Sequence, residues 1–437
     1  NPGEWVANMY GGHENLEAVE FLKHLNSVFK GRKDGAVLIA EESTAWPKVT
    51  GNVKEDGLGF DYKWNMGWMN DFLGYMKCDP YFRCHHYGEL TFSMIYAYSE
   101  DFILVFSHDE VVHGKGSMVN KMPGETFEAK FANLRAAYGF MTGHPGKKLL
   151  FMGQEFGQMD EWNENKSLEW ELLEYPIHKN MQSYVKALNF LYREHPALYE
   201  EDYMPDGFEW INCMDSANNI AAFLRKTDKP EETLLFVCNF APVEHEKYKV
   251  GVPFPGKYKE IFNSESKSFG GCGIVNPRVK SSKAEECDGR EESITVHIAP
   301  LGISVFSCTP VKRVKKTART AGKTAKSKAA GTGRASAAGR SSGAAGGRRK
   351  ASVQEKAPEG NVIAFKADKS LYGTLADLRE DDEAKEALKQ AMDGQKKERD
   401  ESQRKTAQES REKENKNPVV TVIKGAQKAL QTGRRSK

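Results

Sequence analysis

Two carboxylates that follow short apolar runs are the residues best suited to chemistry in this sequence. Glu41 comes directly after the run at 36–40, and Asp109, with His108 before it, follows the run at 102–106. Making or breaking a glycosidic bond needs a proton donor for the leaving oxygen and anionic groups around a positively charged sugar centre. A glutamate whose pKa is raised by its surroundings serves as such a donor near neutral pH. The alternative is structural, since an acid at a strand end often caps a helix or binds backbone amides.

Aromatic side chains that can stack on sugar rings follow the same runs. A sugar presents C–H groups on its faces, and a flat ring packs against them while polar neighbours hold the hydroxyl groups. Trp68 stands on a predicted helix, where packing in the core is the favoured interpretation. Packing also stays open as an alternative for the other aromatic residues, which are Trp46, Tyr62 and Trp64 after the first run and Trp162 after the last.

The elements around these residues predict a parallel sheet and place the chain in the α/β class. Apolar runs at 36–40, 102–106 and 149–152 predict strands buried on both faces. Apolar residues at helical spacing predict helices at 13–30 and 127–141. Buried strands that alternate with helices form βα units. In a (β/α)₈ barrel the active site lies at the carboxyl ends of the strands, which is where the polar residues stand.

From residue 203 onward the pattern changes to short apolar runs separated by Gly, Pro and Asn turns. This pattern predicts an antiparallel β domain over 203–309. Residues 311–352 hold 13 Lys or Arg and no acid, spaced by small residues, and are expected to be disordered. A short helix is expected at 369–393. The chain therefore divides into 1–202, 203–309 and a tail over 310–437.

Charge is distributed unevenly along the 437 residues. The net charge is +2, but residues 311–437 carry +16 and residues 1–310 carry −14. A basic segment of this kind either neutralises phosphates on nucleic acid or is a solvated appendage. Because the segment has only Phe365 and Tyr372 as aromatic residues and none interleaved with its basic run for base stacking, nucleic acid or another polyanion is the less favoured partner.

Composition excludes several classes of protein. No run approaches the roughly 18 apolar residues of a membrane helix, which excludes an integral membrane protein. The seven cysteines are odd in number and scattered without a CxxC pair. They argue against disulfides or zinc and for a reducing compartment, so a cytoplasmic protein is expected. The aspartates and histidines are not at ligand spacings and glycosidic-bond chemistry needs no ion, so no metal or cofactor is expected. The amino terminus shows no signal peptide and no initiator Met, so a fragment of a longer protein is also expected.

A family resemblance rests on four stretches of sequence. They are AEEST at 40–44, GLGFDYKWNMGW at 57–68, FSHDEVVHGK at 106–115 and KKLLFMGQEF at 147–156. Together they resemble the bacterial-type 1,4-α-glucan (glycogen) branching enzymes of the α-amylase superfamily. The third stretch is the most specific, and the resemblance extends from residue 1 to about residue 309.

The resemblance implies roles for residues at matching positions. Glu41 is the implied general acid/base, Asp109 the acid that stabilises the transition state, and His108 a contact to the sugar at the cleavage site. Glu42 is interpreted as structural. The implied activity cuts an α-1,4-glucan and transfers the cut chain to a 6-hydroxyl by a retaining double displacement. The implied fold is the carboxyl-terminal half of a (β/α)₈ barrel followed by the β domain.

Parts of the family pattern are not found in the sequence. The family's nucleophile is an Asp in an Arg-x-Asp-Ala motif, and this chain has no such motif. The first barrel half, with its Tyr, Asp, His and Arg ligands, and an amino-terminal β-sandwich are also missing, so the chain alone is expected to be inactive. Two alternatives stay open, namely a related α-glucan hydrolase or 4-α-glucanotransferase and a non-catalytic glucan-binding or interaction protein.

Overall fold

Four parallel strands form the sheet that carries the predicted site. In the computed structural model, which describes residues 6–312, these strands are hydrogen-bonded in chain order. The register pairs Trp64 with Ile103 and Phe106 with Leu150, so the carboxyl ends of the strands lie along one edge of the sheet. The strands are β1 (Ile39–Ala40), β2 (Tyr62–Trp64), β3 (Phe102–Phe106) and β4 (Lys147–Leu150).

The inner strand β3 matches its prediction, whereas the two outermost strands do not. All five residues of β3 are buried. The run at 36–40 forms a strand only at Ile39–Ala40, and Ile39 is 44% exposed, so the prediction of burial on both faces is wrong there. β4 ends at Leu150 instead of 152, and the N–H of Phe151 donates to the side chain of Gln154 at 3.0 Å. Both outermost strands have a neighbour on one side only, which explains their partial exposure.

Six helices accompany the sheet between residues 6 and 312, and four of them begin at a side-chain cap. The side chain of Asn15 accepts a hydrogen bond from the N–H of Ala18 at the start of the first helix. The side chain of Thr126 accepts one from the N–H of Ala129 at the start of the fifth helix. The predictions at 13–30 and 127–141 correspond to the first and fifth of these helices, with bounds that differ by at most three residues. The helices are α1 (Leu16–Arg32), α2 (Met66–Lys77), α3 (Tyr87–Thr91), α4 (Met118–Lys121), α5 (Phe127–Gly143) and α6 (Pro176–Glu194).

An antiparallel β domain follows α6. Its larger sheet has six strands in the order β10-β9-β12-β7-β6-β5, and its smaller sheet pairs β11 with β8. The strands are β5 (Phe208–Asp215), β6 (Ile220–Arg225), β7 (Leu234–Asn239), β8 (His245–Val252), β9 (Gly256–Asn263), β10 (Lys280–Ser281), β11 (Glu292–Ile298) and β12 (Ile303–Pro310).

The strands β6 and β7 in the larger sheet of this domain are buried on both faces. Along β6, Ala222 and Leu224 pack toward the smaller sheet, whereas Phe223 packs in the cluster that contains α5. This alternation follows from the two-residue period of a strand. Phe223 stacks on Phe236 of β7 at 4.9 Å between ring centroids and meets Phe140 of α5 edge-on at 5.9 Å. The β domain therefore shares a hydrophobic core with the helix that precedes β4.

Some predictions concern residues that the structure does not describe. The low-complexity segment beyond residue 312 and the helix at 369–393 lie outside the described residues. The division of the chain at 202/203 stays a prediction. None of the helices between residues 6 and 312 combines the length and apolar character that crossing a bilayer requires.

Candidate active site

Glu41 stands at the carboxyl end of β1, on an exposed turn. The next residue, Glu42, accepts a hydrogen bond from the N–H of Thr44 at 2.6 Å. Hydrogen bonds from the side chain and backbone of Thr44 lower the pKa of Glu42, which keeps that carboxylate ionised in the turn. The buried Lys63 of β2 donates its Nζ to the carbonyl oxygen of Thr44 at 3.1 Å. Both bonds hold Thr44, three residues after Glu41, while Glu41 itself is exposed.

Asp109 and His108 stand at the carboxyl end of β3, two strands away from Glu41. Ser107, which is fully buried, accepts the N–H of Asp109 at 3.0 Å and caps the short helical turn that begins at His108. The His108 Nε2 lies 3.2 Å from the Asp109 Oδ1, and both side chains are partly exposed. β2 lies between β1 and β3, and the register aligns Ala40 at the end of β1 with Phe102 at the start of β3, so the end of β3 extends four residues further along the sheet.

Three aromatic rings surround the imidazole of His108. The ring centroid of His108 lies 6.5 Å from Trp64, 5.9 Å from Phe151 and 6.0 Å from Trp162. Phe151 and Trp162 also contact each other edge-on at 5.3 Å. These rings come from the ends of β2 and β4 and restrict how the imidazole can turn. We call His108, Trp64, Phe151 and Trp162 the histidine cage.

A cavity of about 500 Å³ lies beside the turn after β1 and brings two predicted sugar-binding residues together. Trp46 and Trp64 both line it, along with Lys63 and Tyr96. Its volume is in the range of small-ligand pockets. Trp46 also packs in a small hydrophobic cluster with Val49, so part of its ring is structural as the alternative interpretation predicts.

Tyr62 is not brought to the cage. It is the first residue of β2, about 7 Å along the strand from Trp64. Its ring lies 6.2 Å from that of Tyr203, whose hydroxyl donates to the carbonyl oxygen of Phe102 at the amino end of β3. Trp68 is buried in α2 against Phe72, as the packing interpretation predicts.

Sequence reasoning missed three residues that organise this site. Lys63 binds the turn after β1, Phe151 contacts His108, and Glu161 binds backbone amides of the loop after β3. Spacing offered no signal for them, because each acts through a contact between segments far apart in sequence. Within residues 6–312, no three His, Cys, Asp or Glu side chains come together in an arrangement that could hold a metal ion.

Comparison with known proteins first identifies the class. Residues 210–309 match the family described as the alpha amylase C-terminal all-beta domain, which covers β6 to β12 and most of β5. A solved α-amylase from H. orenii overlaps the chain at a TM-score of 0.44 and 15% identity, covering 67% of this chain and 57% of the other. That overlap is too loose to support a conclusion. Over residues 210–309 the β domain is similar to the C-terminal all-beta domain of alpha amylases.

The curated relatives are more specific. A 1,4-alpha-glucan branching enzyme GlgB from Halothermothrix orenii is 51% identical over 304 residues, which are 70% of this chain and 48% of that protein. GlgB from Oceanobacillus iheyensis is 50% identical over 303 residues, covering 69% and 47% respectively. GlgB 1 from Xanthomonas campestris pv. campestris is 50% identical over 307 residues, covering 70% and 42%.

These relatives confirm the resemblance that the four sequence stretches indicate. Over about 300 residues the chain is a relative of bacterial 1,4-α-glucan branching enzymes. It spans less than half the length of the curated relatives it matches.

Proposed function

We propose that this chain supplies the acid/base and the transition-state-stabilising residues of an α-1,4-glucan branching reaction. The carrying observation is the placement of Glu41 and the His108–Asp109 pair at the carboxyl edge of one parallel sheet. The identity to branching enzymes supports the choice of reaction. Making α-1,6 bonds distinguishes this proposal from an α-glucan hydrolase or a 4-α-glucanotransferase.

The proposed chemistry is a retaining double displacement. Glu41 donates a proton to the glycosidic oxygen as the bond from that oxygen to the sugar C1 breaks. An aspartate from the part of the barrel that precedes this chain forms the bond to C1. The carboxylate of Glu41 then removes the proton from a glucan 6-hydroxyl, whose oxygen displaces the aspartate and completes the branch.

Asp109 and His108 hold the sugar during both steps. The Asp109 carboxylate accepts hydrogen bonds from ring hydroxyls and stabilises the positive charge that develops at C1. The cage rings pack around the imidazole of His108 and are proposed to hold it in place for its contact with the sugar. Trp46 and Trp64 are proposed to stack on further glucose units in the adjoining cavity.

The four-stranded sheet is proposed to be the carboxyl-terminal half of a (β/α)₈ barrel over 1–202, with the β domain over 203–309. β1 and β4 each have one side without a strand among the described residues, which is where a barrel would continue. The chain alone is then expected to produce no α-1,6 bonds from amylose.

The test joins this chain to the preceding part of the Halothermothrix orenii relative and measures α-1,6 bonds formed from amylose by digestion with a debranching enzyme. Activity should appear in the joined protein and fall by about 10²-fold or more in Glu41→Gln and in Asp109→Asn. Glu171→Gln and Asp228→Asn remove an exposed carboxylate in the same isosteric way and should keep full activity. Full activity in either site variant would reject the assignment.

A further inference from the structure

A glutamate joins the loops that follow β3 and β4. The Glu161 Oε2 accepts the N–H of Gly114 at 3.0 Å, and its Oε1 accepts the N–H of Gly116 at 2.6 Å. Both oxygens of one carboxylate are thereby used on the backbone of a loop that lies 45 to 47 residues earlier. We call this pair of hydrogen bonds the Glu161 clamp.

The backbone of the loop after β3 is shaped to receive this carboxylate. Gly114 and Gly116 have φ values of 79° and 76°, and His113 has a φ of 56°. Left-handed residues among right-handed ones turn successive N–H groups toward one point, which makes a concave site for an anion. Glycine adopts this conformation without the cost that a side chain would add. The anion that fills the concavity belongs to the protein itself.

Trp162, the residue after Glu161, connects the clamp to the histidine cage. The N–H of Trp162 donates to the carbonyl oxygen of Val111 at 2.9 Å, which is a third bond between the same two loops. The Trp162 ring then meets the imidazole of His108 at 87° and 6.0 Å. The clamp therefore lies one residue from a ring that contacts a proposed sugar-binding group.

We propose that Glu161 is a positioning residue of the candidate glucan site, which holds Trp162 against His108 by fixing the loop after β4 to the loop after β3. This inference rests on the proposed function for its effect on glucan. The effect on the cage geometry concerns the free protein and does not depend on that function. Glu161 itself touches none of the cage rings through a described contact.

Electrostatics favour a carboxylate that stays ionised in this position. The N–H groups of Gly116 and Gly114 lower the pKa of Glu161, with smaller contributions from the charges of Lys121 and His113. Lys121 of α4 donates its Nζ to the carbonyl oxygen of Lys115 in the same loop at 2.6 Å. The charged side chain of Lys121 therefore lies close to the clamp. Its positive charge adds to the attraction between this loop and the Glu161 carboxylate.

The experiment first measures the ring signal of His108 in the free chain. It then measures the affinity of the chain for a glucan. The full 437-residue chain is labelled at its histidine rings, and the His108 signal is assigned by its loss in His108→Gln. In Glu161→Ala the ring signal of His108 should move toward that of an exposed histidine, because the ring current of Trp162 is lost. Affinity for maltoheptaose should fall about tenfold, since misplacing a contact group by an ångström costs this much or more.

Glu164→Ala is the matched control, because Glu164 lies on the same loop and contacts only Asn165 among the described residues. It should move neither the His108 signal nor the affinity. Glu161→Gln keeps one acceptor oxygen and should give an intermediate shift, which also decides the matter where the alanine variant does not fold. An unchanged His108 signal in both Glu161 variants overturns the proposal. A shifted signal with no maltoheptaose binding by the unaltered chain supports the positioning role and rejects the glucan site.

Discussion

At the residue scale, Asp202 shows how the described residues hold a charge away from water. Its carboxylate is fully buried, with the Arg225 Nη2 at 2.8 Å from one oxygen and the Lys147 Nζ at 2.9 Å from the other. The hydroxyl of Tyr192 donates to it at 2.8 Å. Burial by itself raises the pKa of Asp202, but the charges of Lys148, Arg225 and Lys147 outweigh burial and hold that pKa below its usual value. The carboxylate is therefore charged at neutral pH.

Asp202→Asn should lower the free energy of unfolding at pH 7 by about 3 to 5 kcal/mol, because it leaves buried cations without their counter-charge. A lowered pKa gives stability that is present above the unfolded value near ~3.9 and lost as pH falls through the folded value. Urea unfolding measured from pH 7 to pH 2 should thus show that the free energy of unfolding falls less below about pH 4 in the variant than in the unaltered chain.

The control for this prediction is Asp160→Asn, which breaks an ion pair with Lys166 in which both side chains are exposed. Exposed pairs contribute little, so its unfolding curve should overlay that of the unaltered chain. If Asp202→Asn is as stable as the unaltered chain, the surrounding cations find other partners and the prediction is wrong.

At the scale of elements, α5 is the helix on which both parts of the structure pack. Most of its residues are buried, including Asn133 and Arg135. Arg135 pairs with the buried Glu265 of the β domain at 2.6 Å. The asparagine accepts from the guanidinium of Arg83 at 2.7 Å, and Arg83 also donates to the carbonyl oxygen of Phe240. A helix buried on most sides has little room for larger side chains.

Gly143→Ala tests this packing at the end of α5. The added Cβ would lie 2.7 Å from the ring of Phe236 and 2.8 Å from that of Phe223. Overpacking of this kind should lower the free energy of unfolding by about 1 to 3 kcal/mol in urea. Gly31→Ala is the control, because nothing lies within 4 Å of its added Cβ on the exposed side of α1. That change should instead raise stability by roughly 0.5 to 1 kcal/mol.

Sequence periodicity predicted some elements better than others for physical reasons. β3 is apolar throughout and buried, so its bounds follow from its residues. β2 was not predicted because Lys63 stands between its two aromatic residues and interrupts the apolar pattern; in the structure this lysine is buried and donates to the carbonyl oxygen of Thr44. The positions of Glu41 and Asp109 at strand ends can be predicted, because each acid comes shortly after its strand in the sequence. The Glu161 clamp cannot be predicted in this way, because its partners depend on how two separate loops pack together.

At the scale of the whole described region, the parallel sheet and the β domain share one hydrophobic cluster. Leu104 and Phe106 of β3, Phe140 of α5 and Ile303 of β12 all belong to it. The hydroxyl of Tyr87 in α3 also donates to the carbonyl oxygen of Ile220 in β6 at 2.7 Å. Two parts that bury one common core cannot separate without exposing it to water.

Residues 6–312 should therefore unfold in one calorimetric transition. In scanning calorimetry of the full chain, Gly143→Ala should move that transition as a whole to lower temperature. Two resolved transitions, only one of which moves, would show that the parallel sheet and the β domain unfold independently.

The buried bond between Asp202 and Arg225 has a consequence for hybrids assembled from related enzymes. The acid precedes the predicted β domain, and its cation lies inside that domain on β6. A crossover placed between Asp202 and Arg225 takes the residue at the acid position from one parent and the residue at the cation position from the other. Hybrids joined there should fold only where both parents carry the same pair, whereas a crossover before Asp202 transfers the pair intact.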